Sequence, residues 1–416
     1  MRIESDEDLD SINDRYATLR LIDWFDASRV GLAKVLVVGA GAIGNEVLKN
    51  LALLGVGNIY IFDRDTIEMS NLSRSILYRE TDCGLPKAST AARALKEVNP
   101  SVNVFWYHGD IESGLGEGFV RRMDAVIGCL DSVEARFALN RICWRAGRPW
   151  VDAGIGALNG QVRVFQPPDG PCYECGFEDE DYKQLKIAKS CNAVASAQKK
   201  QGRIPTTPTI ASLVAAVQVQ EFLKLLDPDR WKGRSLAGRQ FAFNGTVGEA
   251  EVFGLPSREG CPAHDEEIGA DEIVACPDMT AQHTAGELLA KARELIDPAA
   301  HLYLNSEIAI ERQCPQCGSR VALLRAMHQL VREGLTCANC GRPGVYESDI
   351  TSTTHIIGSE TPPEVLNMKL SEIGVPTFGF VEVRNQVGES RYLEIAGDPA
   401  WAMEPGKYFA QSGANA

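Results

Sequence analysis

An apolar run from Lys34 to Val38, ending in Gly39-Ala-Gly41-Ala-Ile-Gly44, constrains this chain more than any other feature. A run without polar alternation suits a strand buried on both faces of a parallel sheet. The G-x-G-x-x-G spacing predicts a tight turn into a helix reaching Leu54, with backbone N–H groups at a helix N-terminus where phosphate binds. A second strand, Asn58 to Phe62, delivers Asp63 to its carboxyl end, 24 positions after Gly39, where an acid meets a ribose hydroxyl. The glycines alone do not name a cofactor. The same cradle serves dinucleotides and other nucleotides, and glycines also do no more than let a helix approach a strand.

Further along, helices and strands alternate: helix near Ala88 to Val98, strand Val102 to Tyr107, helix before Arg122, strand Asp124 to Cys129, helix Val133 to Ala146 and strand Trp150 to Ala153. Such alternation predicts an α/β class, a doubly wound, Rossmann-like and mostly parallel sheet. At 416 residues the chain exceeds one core, so two or three domains are expected. A polar N-terminal segment, residues 1–33, carries Tyr16, Leu19, Ile22 and Phe25 at helical spacing. It lacks the apolar core of a signal peptide, and the most apolar helical run, Thr209 to Leu226, is broken by Gln218, Gln220, Glu221 and Lys224. No membrane span and a cytoplasmic setting are therefore expected. A net charge of −14 argues against a whole-molecule nucleic-acid role.

What disfavours hydride transfer is the polar material after Asp63, where Asp65, Asn71, Arg74 and Lys87 gather. Attack of a carboxylate on the α-phosphate of ATP builds negative charge and expels pyrophosphate. Arg, Lys and a metal-holding Asp are what that chemistry requires. Asp131, just after the apolar strand DAVIGCL, is the candidate for the Mg2+; its alternative role is a helix N-cap before Val133. Arg74 and Lys87 are alternatively solvated surface charges.

The stretch GAGAIGNEVLKNLALLGVGNIYIFDRDTIEMSNLSRSILY resembles the ubiquitin-activating superfamily, which also contains the molybdopterin-synthase and thiazole-pathway adenylyltransferases. The resemblance extends from about Arg15 to His264. It implies that Asp63 holds ribose, that Asn71, Arg74 and Lys87 surround the phosphates of ATP, and that Asp131 binds magnesium. It also implies that an arginine of RYATLR reaches the ATP of a partner subunit, Arg20 first and Arg15 second, and hence a homodimer. Ser75 stands where the family has Gln, a change expected to tune the phosphate contacts.

Of twelve cysteines, six fall in three Cys-x-x-Cys pairs, which in a reducing compartment reads as metal binding. Cys172 and Cys175 have ligand spacing for zinc. By the resemblance the site is completed after the last strand of the sheet, where this chain has Cys261-Pro-Ala-His264; Cys276 is the alternative to His264. Cys191 lies in a polar crossover loop, 177–205, flanked by Lys186, Lys189, Lys199, Lys200 and Arg203. Neighbouring positive charge favours its thiolate. The superfamily carries a catalytic or sulfur-relay cysteine in this loop. Cys129, Cys143 and Cys83 read as packing residues.

An acidic stretch, Asp265 to Asp271, marks the end of an adenylation domain spanning 34–265. Beyond it, a helix from Ala281 to Leu295 and a strand at Leu302 to Leu304 lead to Cys314-Pro-Gln-Cys317 and Cys337-Ala-Asn-Cys340. Two such knuckles predict a structural Zn2+ in a zinc-ribbon domain, 281–350. A separate small α+β module, 351–397, and a tail, 398–416, are expected to follow. Five arginines make the ribbon basic, and an acidic protein surface suits it better than nucleic acid.

The leading expectation is an enzyme that adenylates the C-terminal carboxylate of a ubiquitin-like β-grasp protein, captures it as a thioester on Cys191 and passes it to a conjugating enzyme. An activator of a sulfur-carrier protein is the alternative within the superfamily. An NAD-dependent oxidoreductase and a non-catalytic scaffold are the alternatives outside it.

Overall fold

The computed structural model describes residues 14–178, 180–182, 205–330, 336–342 and 347–397. Its first unit is an eight-stranded sheet in the order β3-β2-β1-β4-β5-β6-β7-β8. The strands are β1 (Lys34–Val38), β2 (Asn58–Asp63), β3 (Asn103–His108), β4 (Ala125–Gly128), β5 (Trp150–Ile155), β6 (Asn159–Phe165), β7 (Arg239–Asn244) and β8 (Glu249–Gly254). Five run parallel, and β6, β7 and β8 add antiparallel. Along β1 the side chains alternate between two apolar layers. Val35 and Val37 enter a core shared with helices α1 (Ala42–Leu54), α2 (Lys87–Val98) and α4 (Pro208–Leu225), whereas Leu36 and Val38 enter one shared with α3 (Val133–Arg145). Helices on both faces make the sheet doubly wound, as expected. Burial on both faces explains the unbroken apolar runs.

The amino-terminal segment forms two short helices, Ala17–Arg20 and Ala27–Leu32. Asp26 interrupts a continuous helix by capping the second one, accepting from the Arg29 amide at 3.0 Å. The apolar face is nevertheless used: Phe25 is buried, Leu19 and Ile22 pack on the first core, and the Tyr16 hydroxyl accepts from Asn99 at 2.7 Å.

The second unit is a six-stranded sheet, ordered β11-β10-β13-β14-β9 with β12 also paired to β10. Its strands are β9 (Ile273–Cys276), β10 (His301–Gln313), β11 (Arg320–Ala326), β12 (Ile350–Ile357), β13 (Phe380–Arg384) and β14 (Ser390–Ile395), and helix α5 (Ala285–Leu295) packs on its core. This corrects the expected division at residue 350. The long strand β10 pairs with β11 before that boundary and with β12 and β13 after it, so residues 281–350 and 351–397 share one sheet and one core. The polar triplet Asn305 to Glu307 and a bulge near Ala309 hid the length of β10 from its sequence.

The two units meet along Gly116 to Arg122. The Gly118 amide donates to the Phe378 carbonyl at 2.9 Å, and the Phe380 amide donates to Glu117 Oε2 at 3.1 Å. Glu117 also pairs with Arg145 at 3.0 Å, and Arg122 pairs with Glu394. Among the described residues no helix is long and apolar enough to cross a membrane.

Candidate functional site

From the carboxyl ends of β1 and β2 the chain passes to helices on one face of the sheet, and from β4 to α3 on the other, which opens the crevice typical of such sheets. Gly39 turns with φ +98°, and a Cβ there would lie 2.4 Å from the Cys129 carbonyl oxygen. A Cβ on Gly44 would lie 2.0 Å from the Gly39 carbonyl oxygen, so this glycine serves helix–strand approach and does not line the crevice. Gly41 differs from both. A Cβ there meets nothing within 4 Å, so the protein's own packing does not demand glycine, whereas a ligand drawn close to the backbone would. Gly41 is the N-cap of α1 and makes no side-chain cap, leaving the first-turn N–H groups available to phosphate.

Asp63 sits beside this turn. Its Oδ2 accepts from the Ala40 amide at 2.6 Å and its Oδ1 from the Asp65 amide at 2.7 Å. Burial pushes its carboxyl above the usual carboxylate range, opposed by Lys87 and the two amides. Lys87 opens α2, and its Nζ lies 2.9 Å from Asp65 Oδ2. Asn71 accepts from the Glu68 amide at 2.9 Å, and Arg74 donates to the Ser70 carbonyl at 2.7 Å within the short helix Met69–Arg74.

Asp131 lies two residues before α3. The N-cap is Ser132, whose side chain accepts from the Ala135 amide, and not Asp131. Asp131 is exposed and has no hydrogen bond or ion pair among the described residues, although the positive charges of Arg64 and Arg136 act on it. Gly39, Gly41, Asp63, Asp65, Asn71, Arg74, Lys87 and Asp131 all line one cavity of about 2290 Å³. That exceeds the roughly 300–1,000 Å³ of a small-molecule pocket. The cavity continues past Phe137, Arg141 and Tyr173 to Asn305 and Met327 of the second unit. The donor set and the open cradle fit a magnesium nucleotide: N–H groups and cations for phosphate, and an uncommitted carboxylate for the metal.

Three supporting residues escaped the sequence reading. Asn45 donates to the Ala40 and Gly41 carbonyls at 2.7 and 2.9 Å and accepts from the Leu77 amide, while the Tyr78 hydroxyl donates to the Ala40 carbonyl at 2.7 Å. Arg136 pairs with the buried Asp152 at 2.9 Å and donates to the Leu130 and Ala153 carbonyls, fixing the loop that carries Asp131. The available signal was Asn45 itself, a polar residue on the apolar face of α1.

Arg20 is not brought to the cavity of its own chain. It pairs with Asp14, and Arg15 donates to the Val98 carbonyl at 2.9 Å. Cys191 lies outside the described residues. Cys129 and Cys143 are buried with thiols pushed up by desolvation, which suits packing and not nucleophilic attack.

Both four-residue metal groups converge. Cys172 and Cys261 sulfurs lie 3.6 Å apart, Cys172 and Cys175 3.8 Å, and Cys175 Sγ and His264 Nε2 3.5 Å. His264 stacks on Trp144 at 4.2 Å and 6°. Cys276 is elsewhere, buried in the core of the second sheet, so the structure places His264 and not Cys276 with the first group. In the second group, Cys314 and Cys340 lie 3.8 Å apart and Cys317 and Cys337 3.7 Å. Four thiolates about 2.3 Å from a tetrahedral zinc stand about 3.8 Å from one another, so both groups have the spacing for this ion.

Comparison with known families then decides the lineage. The ThiF family pattern matches residues 14–263. The chain belongs to the ThiF family. The resemblance to the ubiquitin-activating superfamily is thereby borne out, and its 250 matched residues cover the whole cradle. Among relatives of this ThiF protein, SUMO-activating enzyme subunit 2 of Dictyostelium discoideum is 40% identical over 148 residues, 35% of this chain and 22% of that protein. Adenylyltransferase and sulfurtransferase MOCS3 of Mus musculus is 39% identical over 149 residues, 36% of this chain and 32% of that one. The matches thus span only about a fifth to a third of these relatives' lengths. SAMP-activating enzyme E1 of Haloferax volcanii is 30% identical over 247 residues, 58% of this chain and 83% of that protein. In fold, the ThiF chain is similar to E. coli MccB crystallised with ATP, with TM-score 0.50, 21% identity and coverage of 61% of this chain and 74% of the other.

Proposed function

We propose that this ThiF protein uses Mg-ATP to adenylate the C-terminal carboxylate of a β-grasp protein of the ubiquitin-like or sulfur-carrier kind. The observation that carries the reading is Asp131, left without a protein partner among the described residues, on the same cavity wall system as Lys87, Arg74, Asn71 and the glycine turn. A dinucleotide oxidoreductase would leave that set without use.

In this reading the glycine turn and the α1 N-terminus hold phosphate oxygens, and Asp63 orients the ribose. Arg74 and Lys87 take up the negative charge that grows as a carboxylate oxygen attacks the α-phosphorus and the bond to pyrophosphate breaks. Asp131 would hold magnesium, which when bound supplies charge neutralisation on the phosphates. The wide cavity beyond the nucleotide end suits a peptide tail bearing the carboxylate. The finer proposal follows from sequence: the Cys191 thiolate attacks the acyl carbonyl, AMP leaves, and the thioester passes to a conjugating enzyme. Similarity to MOCS3, an adenylyltransferase and sulfurtransferase, supports a second reading, transfer of sulfur to the adenylated terminus, with Cys191 a relay.

Arg20 is proposed to act on the ATP of the partner in a homodimer. The Cys172, Cys175, Cys261 and His264 group and the Cys314, Cys317, Cys337 and Cys340 group are each proposed to hold a structural zinc, in keeping with a reducing, cytoplasmic setting. The test is to incubate the protein with ATP, magnesium and small β-grasp proteins. A reducing-agent-sensitive adduct that disappears in Cys191→Ala while pyrophosphate release persists supports thioester capture. An adduct that survives the substitution ends the Cys191 assignment, and absence of pyrophosphate release with every partner counts against adenylation.

A further inference from the structure

Ser75 closes the short helix Met69–Arg74, and its hydroxyl is buried, with the residue 4% exposed. Among buried side-chain oxygens and nitrogens without a hydrogen-bond partner in the described residues, Ser75 Oγ is the one beside the glycine turn. The segment that follows is fixed there from two directions: the Leu77 amide donates to Asn45, which itself grips the Ala40 and Gly41 carbonyls, and Tyr78 bonds Ala40. Ser75 lines the same cavity as Asn71, Arg74 and Lys87.

A buried hydroxyl left without a partner is unfavourable, and most such groups in folded proteins are satisfied. Ser75 belongs to the cavity wall, so the cavity is where a partner for its hydroxyl can come from. The neighbouring side chains at the phosphate end, Arg74 and Lys87, can only donate; they could serve the lone pairs of the hydroxyl but not its O–H, which calls for an acceptor such as a ligand in the cavity supplies. We infer that the Ser75 hydroxyl donates a hydrogen bond to a phosphate oxygen of the bound nucleotide, making Ser75 a phosphate-binding residue. The hydroxyl then trades an unfavourable free state for a charge-assisted bond in the complex. The inference rests on the nucleotide reading of the cavity.

The experiment compares wild type with Ser75→Ala by calorimetric titration with ATP and, separately, adenosine, alongside thermal unfolding without nucleotide. The substitution is small and removes a polar atom that lacks a partner, so the unliganded protein should melt at or above the wild-type temperature. ATP affinity should fall about tenfold, equivalent to about 1.4 kcal/mol, and adenosine affinity should not change. Equal ATP affinity in the two proteins overturns the inference while leaving the nucleotide site standing. An equal loss for adenosine also overturns it, because the hydroxyl would then act on the pocket's shape and not on phosphate. A wild-type chain that binds no ATP overturns the nucleotide reading and this inference together.

Discussion

The ammonium of Lys87 stands 2.9 Å from a carboxylate oxygen of Asp65, with the lysine side chain 11% exposed and the aspartate side chain 52% exposed. The pairing fixes the lysine on the wall of the cavity proposed to bind the nucleotide. Asp65 is in turn fixed through its amide to Asp63 and through its carbonyl to the Lys87 amide. A hydrogen bond to a charged group is worth about 1.5–3 kcal/mol, so Lys87→Ala should weaken ATP by roughly 10- to 100-fold. Asp65→Asn keeps the lysine but loosens its aim, and a several-fold loss is expected. Calorimetric titration with ATP reads both. Unchanged affinity in Lys87→Ala would remove the lysine from the phosphate site.

Metal content provides an independent measurement. The two thiol-rich groups call for about two zinc ions per chain. Trp144 stacks on His264, so loss of the first ion should alter tryptophan fluorescence as well as stoichiometry. His264→Ala should reduce the content to about one zinc and lower the unfolding temperature, whereas Cys314→Ser should reduce it without that optical change. Two zinc ions in the His264→Ala protein would show that the histidine is not a ligand.

The parallel centre of the first sheet was legible because β1, β2 and β4 are buried and read as apolar runs, and because the glycine turn and Asp63 are local in sequence, whereas the exposed strand β8 gave no such run. The pairing of Lys87 with Asp65 was only half legible: both residues stood out, but nothing in their spacing joined them. Long-range supports were invisible. Arg136 gained its role only when β5 brought Asp152 beneath it. The second sheet was misdivided because β10 is interrupted by polar residues at Asn305 to Glu307 and because its partners come from both sides of residue 350. Periodicity within one strand cannot reveal which strand it pairs with.

Glu117 is the joint between the two units. Its side chain is 5% exposed, accepts from the Phe380 amide and pairs with Arg145, itself 12% exposed. Removing one partner of a buried pair leaves the other charge stranded and costs about 3–5 kcal/mol. Glu117→Ala should therefore lower the unfolding temperature and expose the connection near residue 270 to protease. Wild-type melting and protease resistance in that variant would end the view that Glu117 holds the sheets together.

The second unit should also show a defined pH response. Burial raises the Glu382 carboxyl, but the paired hydrogen bonds from Arg384 at 2.6 and 3.2 Å and the one from Ser390 at 2.6 Å outweigh it, leaving the group below the usual glutamate range. A carboxyl with a depressed folded pKa contributes stability that is complete above its unfolded pKa of about 4.3 and is lost as pH falls through the folded value. The stability gap between wild type and Glu382→Gln, read by urea unfolding, should be largest near neutral pH and close below about pH 4. A gap that widens on acidification would reverse the assignment.

Arg20 lends itself to a test that needs no structure of the dimer. Its guanidinium pairs with Asp14, is 51% exposed and does not reach the cavity of its own chain. If it serves the neighbouring ATP site, a chain with Arg20→Ala keeps a usable cavity but depends on its partner's arginine, and a chain with Asp131→Ala supplies that arginine while its own cavity is dead. Each alone should be inactive in ATP-dependent pyrophosphate release. Mixed in equal amounts and allowed to exchange, half the dimers become hybrids with one competent site each, so activity should return to about one quarter of the wild-type level. If Arg20 acts within its own chain, the hybrid has one site without the arginine and one without Asp131, and mixing restores nothing.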